Sequence, residues 1–167
     1  MSRVLSRREV LAAAVAFVSA ARTASAEEII DLDWEDLLPE GEKSVPNAML
    51  GLLDHSGPDV SRQQPASTGV RTDWNGMTVR LPGYIVPIDY DGTGVSAFLL
   101  VPYVGACIHV PPPPANQLVL VTTQDPYETN GLFEAVNVTG MFGTASTRTQ
   151  LAEVGYALSA DRIEPFR

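Results

Sequence analysis

Four consecutive prolines, Pro111 to Pro114, constrain this chain more than any other feature. Each fixes φ at about −65° and carries no amide hydrogen, so the run reads as a stiff polyproline II rod without donors. Such a rod cannot lie inside a helix or form a central strand. Any sheet must therefore be assembled from the residues on either side, with the rod at a sheet edge or a barrel mouth.

Those flanking residues read as strands separated by turns. "GMTVRLPGYIVPI" alternates through Met77, Val79 and Leu81, and Pro82-Gly83 predicts a bulge or bend that turns a barrel corner. "DYDGTG" is a hairpin turn built on Asp91-Gly92. "VSAFLLVPY" is an almost unbroken apolar run, hence a strand covered on both faces, and "QLVLVTT", "FEAVNVTGMF" and "YALSADRIEPF" supply three more. "STRTQLAEVG" predicts a short helix behind a serine or threonine cap. Five short strands with glycine bends point to a mainly β protein. The expected architecture is a small closed or partly open barrel like the oligonucleotide/oligosaccharide-binding (OB) fold.

The remainder of the chain divides into an export signal and an acidic lead-in. Ser6-Arg7-Arg8-Glu9-Val10-Leu11 fits the twin-arginine pattern, an alanine-rich apolar run follows from Val10 to Ala21, and Ala24-Ser25-Ala26 is a small-x-small ending. The apolar run is about 12 residues, short of the roughly 20 a spanning helix needs. Cleavage is expected after Ala26. The small residues precede no cysteine, so lipid attachment lacks a site and the mature protein is expected to be soluble in the periplasm without stable membrane insertion. Residues 27–70 read as lead-in and linker, with short helical segments at Trp34–Leu38 and Pro46–Leu53 ended by Pro39 and by Gly57-Pro58. Residues 71–167 are the expected barrel domain, from which the lead-in is partly separable.

Loss of residues 1–26 leaves 7 basic and 19 acidic side chains, a net charge of −12. A surface so acidic disfavours a nucleic-acid partner and adhesion to anionic lipid, while permitting cations or a basic partner. The lone Cys107 cannot form an intrachain disulfide, so the domain is held by its core or by a ligand.

Cys107 and His109 stand two residues apart, just before the rod, in "GACIHVPPPPANQ". In an extended segment their side chains share one face with roots about 6.5 to 7 Å apart, close enough to hold one ion. Three readings fit. Cys107 is a small buried apolar residue; or Cys107 and His109 hold zinc or copper, completed by His55, Asp89, Asp91, Asp125 or Glu128; or Cys107 is a thiol activated by His109. The third lacks a recognisable oxyanion feature and a resolving cysteine. Pro111, Pro112, Pro113 and Pro114 with Asn116 and Gln117 form a candidate binding surface, because a pre-ordered rod loses little entropy on docking. Trp34, Trp74, Tyr84, Tyr90, Tyr103 and Tyr127 fit a core better than a stacking surface, and Asp89 to Gly92 fits a hairpin better than a calcium loop.

Trp34-Glu35-Asp36-Leu37-Leu38-Pro39, "VRLPGYIVPI", "FLLVPYVGACIHVPPPPANQLV" and "VNVTG" together resemble one family of exported bacterial proteins and lipoproteins of unknown function. The resemblance covers nearly all of the mature chain. It implies no activity; members look like companions of export or metal-uptake transport systems. The resulting expectation is a periplasmic binding or accessory protein that handles zinc or copper for an envelope transporter. A metal-free interaction module docking through the proline-rich edge is the alternative, and a thiol-dependent enzyme comes third.

Overall fold

The apolar runs flanking the proline rod form five long strands, and a two-residue strand from the lead-in joins them. The computed structural model describes residues 28–42, 64–107 and 112–166. The strands are β1 (Ile30–Asp31), β2 (Thr78–Asp91), β3 (Gly94–Val101), β4 (Val119–Tyr127), β5 (Ala135–Arg148) and β6 (Glu153–Pro165). Their order is β1-β2-β3-β4-β6-β5, and a further pairing of β2 with β5 closes the barrel. β4 and β6 run parallel, whereas β2–β3, β3–β4, β5–β6 and β2–β5 are antiparallel. The result is a closed five-stranded, OB-like barrel, as the strand pattern predicts.

β2 accomplishes the closure by changing partners along its length. Thr78 to Tyr84 pairs with β5, and Tyr84 to Asp91 pairs with β3. The change falls at Tyr84, directly after Pro82-Gly83, the predicted corner. A side chain at Gly83 would meet Leu100 Cγ at 2.7 Å, so the two strands approach more closely there than any larger residue allows. The β2–β3 hairpin pairs Asp91 with Gly94 across Gly92 and Thr93, with Gly92 at φ +62°.

β3 is covered on both faces. Val95, Phe98 and Leu100 point into the barrel core, and Leu99 and Val101 point into a second apolar cluster with Val86, Leu118 and Val154 on the outside. The crossover from β3 to β4 lies over that outer cluster, contributing Ala106 and Leu118. It ends in a single 3-10 turn, Ala115–Gln117.

Two expectations need correction. "STRTQLAEVG" is not a helix: β5 runs through Arg148, β6 starts at Glu153, and residues 149–152 form the turn between them. Thr149 does cap, but it caps this turn, its Oγ1 accepting from the amides of Leu151 and Ala152. Trp34–Leu38 is likewise two successive i→i+3 turns, Asp36 N–H to Asp33 O and Leu38 N–H to Glu35 O, not a helix. Pro46–Leu53 lies outside the described residues.

The described residues of the lead-in pack against the barrel. Leu32 and Leu37 belong to the barrel core, Leu38 is buried, and Trp34 packs against the same core. β1 adds to β2 in parallel register, Ile30 with Val79. Tyr156 on β6, fully buried and stacked on Phe142 at 5.1 Å, ties these pieces together. Its hydroxyl donates to Leu37 O and accepts from the Arg71 amide, each at 2.7 Å. The described linker residues are also anchored: the Gln64 side-chain amide donates to Glu153 O and accepts from Glu153 N–H, as a neighbouring strand would.

Candidate functional site: the parted strands β4 and β6

The proline-rich crossover, the strongest candidate in the sequence, is mostly packed inward. Pro112 and Pro113 are buried, Asn116 is 1% and Gln117 5% exposed. The Gln117 amide donates to Trp34 O at 2.8 Å and to Asn116 O at 3.1 Å, so it fastens the lead-in instead of facing a partner. Of the candidate surface, Pro112, Pro113, Asn116 and Gln117 thus expose little area, and Pro114 is partly exposed. Pro111, His109 and His55 lie outside the described residues.

Cys107 sits in the left-handed region at φ +69°, so the extended Cys-x-His geometry does not begin at this residue. Its half-buried thiol packs on the outer cluster beside Tyr103. Burial pushes the thiol up to about 12. One side of Cys107 lines a groove of about 640 Å³ between residues 64–67 and the 148–153 turn. The acids expected to complete a metal site are elsewhere. Asp89, Asp91, Asp125 and Glu128 lie at the β2–β3 hairpin and the end of β4, whereas Cys107 lies beyond the opposite end of β3. Seven residues of strand, on the order of 20 Å, separate Leu118 from Asp125. Among the described residues no group of three or more His, Cys, Asp or Glu is arranged to hold a metal ion.

A protonated, half-buried thiol is a poor nucleophile. Iodoacetamide at neutral pH is therefore expected to label Cys107 in the native protein at least about a hundredfold more slowly than a free cysteine, whose ordinary pKa is about 8.5. Labelling faster than a free thiol would support the activated-thiol reading, and labelling at the free-thiol rate would show that burial does not protect Cys107.

Two of those acids come together at a different feature. The β4–β6 ladder ends at Thr123 and Ala160, yet both strands continue, β4 to Tyr127 and β6 to Pro165. β4 leaves the ladder because its pairing with β3 jumps from Thr122–Ala97 to Tyr127–Val95, so residues 123–126 bulge outward. Between the parted strands is a groove of about 600 Å³, walled by Thr123 to Glu128 on one side and Ser159 to Ile163 on the other. Asp125, Glu128 and Asp161 line it, with Arg162 as its one basic group. The Arg162 guanidinium stands 4.0 Å from Glu164. Thr93 Oγ1 donates to Glu128 at 2.6 Å and holds that wall to the β2–β3 hairpin.

The β4 wall is stiffened by Glu134. Its carboxylate accepts from the Asn130 amide and side chain, Thr129 Oγ1 and the Tyr127 hydroxyl, at 2.7 to 3.1 Å. Burial alone raises this carboxyl, but the hydrogen bonds outweigh it and hold it below the ordinary range. Tyr127 is pushed up to about 12, first by burial and then by its bond to Glu134. Asp125 and Glu128 are candidates in the sequence; Asp161 and Arg162 are not. The available signal is that "TQDPYE" and "DRIE" turn polar at the ends of two apolar strands, which matters only once the strands are known to be parallel neighbours.

Together, the barrel and the groove define a small β-barrel protein of the OB-like class with an open seam between its third and fifth barrel strands. Residues 34–165 match the family described as "Protein of unknown function (DUF3299)", and the chain belongs to that family. It is similar to the crystal structure of a DUF3299 family protein from Pseudomonas aeruginosa PAO1. The two share 36% sequence identity and a TM-score of 0.70, over 84% of this chain and 97% of that one. No curated protein matches.

Proposed function

We propose that this protein is an exported binding or accessory module of the periplasm, and that its partner binds in the groove between β4 and β6. The parting of two strands that otherwise form a closed barrel carries the reading. A barrel with a packed core leaves its binding surface to rims and open seams, and this groove combines free strand edges with acidic side chains. The twin arginines Arg7 and Arg8 and the small-x-small ending support export. Two measurements test the two halves. Changing both arginines to lysine should leave unprocessed precursor in the cytoplasm. Adding a concentrated envelope extract to isotope-labelled mature protein should shift the amide signals of residues 123–128 and 159–163; shifts confined to other faces of the barrel would overturn the site.

Zinc or copper handling is the second reading, supported by the one observation that Cys107 lines a groove. An ion there would draw on Cys107 and His109, since the acids at the far end of the barrel are out of reach.

A further inference from the structure

The groove between β4 and β6 differs from an ordinary surface cleft in presenting backbone as well as side chains. On its other side β6 pairs with β5, Arg162 with Thr139, Ile163 with Val138 and Glu164 with Asn137, while the register shift skips Asp161. On the groove side, among the described residues, it has no ladder partner from Asp161 to Pro165. Successive amides and carbonyls of a strand point to alternate sides, so this stretch offers a short row of unpaired donors and acceptors. β4 cannot satisfy them, because it bulges away and Pro126 has no amide hydrogen.

We propose that this free edge of β6 takes up an extended basic peptide segment as an added strand. The inference rests on the groove being the binding site. An incoming strand would pair with the β6 backbone and place every second side chain, about 6.8 Å apart, toward the acidic walls. Asp125, Glu128 and Asp161 supply three negative charges there, and the one positive group, Arg162, stands 4.0 Å from Glu164. Lysine or arginine at alternate positions therefore complements the walls, while phosphate-rich or acidic segments are repelled. The mature charge of −12 steers such a segment toward the protein over longer range.

The test uses isotope-labelled mature protein and a synthetic peptide of about eight residues that alternates lysine and valine, long enough to span the free edge. Binding should shift the amides of Asp161, Arg162, Ile163 and Glu164 and weaken about tenfold or more when salt is raised from about 0.05 to about 0.5 M. Asp161→Lys should lower affinity by about tenfold with an unchanged melting temperature. A matching glutamate-valine peptide, and a lysine-valine peptide interrupted by proline, should not bind. Equal binding of either control, shifts on another face, or no binding of the lysine-valine peptide overturns the proposal. If the envelope extract shifts the groove amides and the peptide does not, the binding site stands and the basic-strand inference falls; if neither shifts them, both fall.

Discussion

Deletion of residues 28–42 is expected to abolish the cooperative unfolding transition of the whole domain. Leu32, Leu37 and Leu38 are buried and Trp34 is partly buried against the core. Each buried leucine contributes roughly 1.5–3 kcal/mol by transfer from water, before the cavity left behind is counted. The deletion also removes Leu37 O, which receives the buried Tyr156 hydroxyl, and Trp34 O, which receives the Gln117 amide. Orphaned polar groups in the interior cost about 1–3 kcal/mol each. Against a typical total stability of about 5–15 kcal/mol these losses leave little or nothing. Loss of near-ultraviolet circular dichroism and of a sharp thermal transition is the expected result. A truncated protein that still melts cooperatively would show that the barrel strands suffice by themselves. Leu37→Ala, the milder version, should cost about 2–5 kcal/mol.

The second large effect is expected at Gly140. A side chain there would stand 2.0 Å from Ser159 O and 2.8 Å from Ala160 Cα, both backbone atoms of the neighbouring strand. The site lies at the register shift in the β5–β6 ladder, where Thr139 faces Arg162 and Gly140 faces Ala160. Backbone cannot rotate aside as a side-chain tip can, so Gly140→Ala must pry the two longest-paired strands apart. It is expected to cost more than about 3 kcal/mol or to prevent folding. Gly143→Ala, three residues along the same strand, is the control. Its nearest neighbour would be Asn75 Oδ1 at 3.9 Å, an ordinary contact, and its cost should stay below about 1 kcal/mol. Urea midpoints of the two variants measure the contrast; equal midpoints would mean that the ladder yields at Gly140.

These two sites also separate what can be read locally from what cannot. Gly83 and Gly92 were legible because each sits beside a turn partner in sequence, Pro82 or Asp91. Gly140 was not, because the atoms that exclude a side chain arrive from residues 159 and 160. Thr149 shows the same limit. A hydroxyl accepting from the next amides is a local property, and the sequence reveals it; whether the capped turn continues as a helix depends on β5 and β6 pairing on either side.

The described prolines Pro112 to Pro114 lie outside the strands, as their missing amides require, but the burial of Pro112 and Pro113 depends on tertiary packing. Cys107 follows the same division. Its isolation in sequence rules out an intrachain disulfide, whereas its left-handed backbone and raised thiol come from the crossover and the cluster it packs on.

By itself, then, the sequence determined the strand content, the barrel corner at Pro82-Gly83, the acidic surface and the place where the chain must leave the sheet. Each follows from short-range physics: alternation of side chains, allowed φ values and counted charge. Only the tertiary structure decided that Leu32 and Leu37 complete the core, that Tyr156 ties the lead-in to β6, and that Asp125, Glu128, Asp161 and Arg162 share one groove. Those facts depend on contacts between residues tens of positions apart. No local preference specifies such contacts until the strands have chosen their partners.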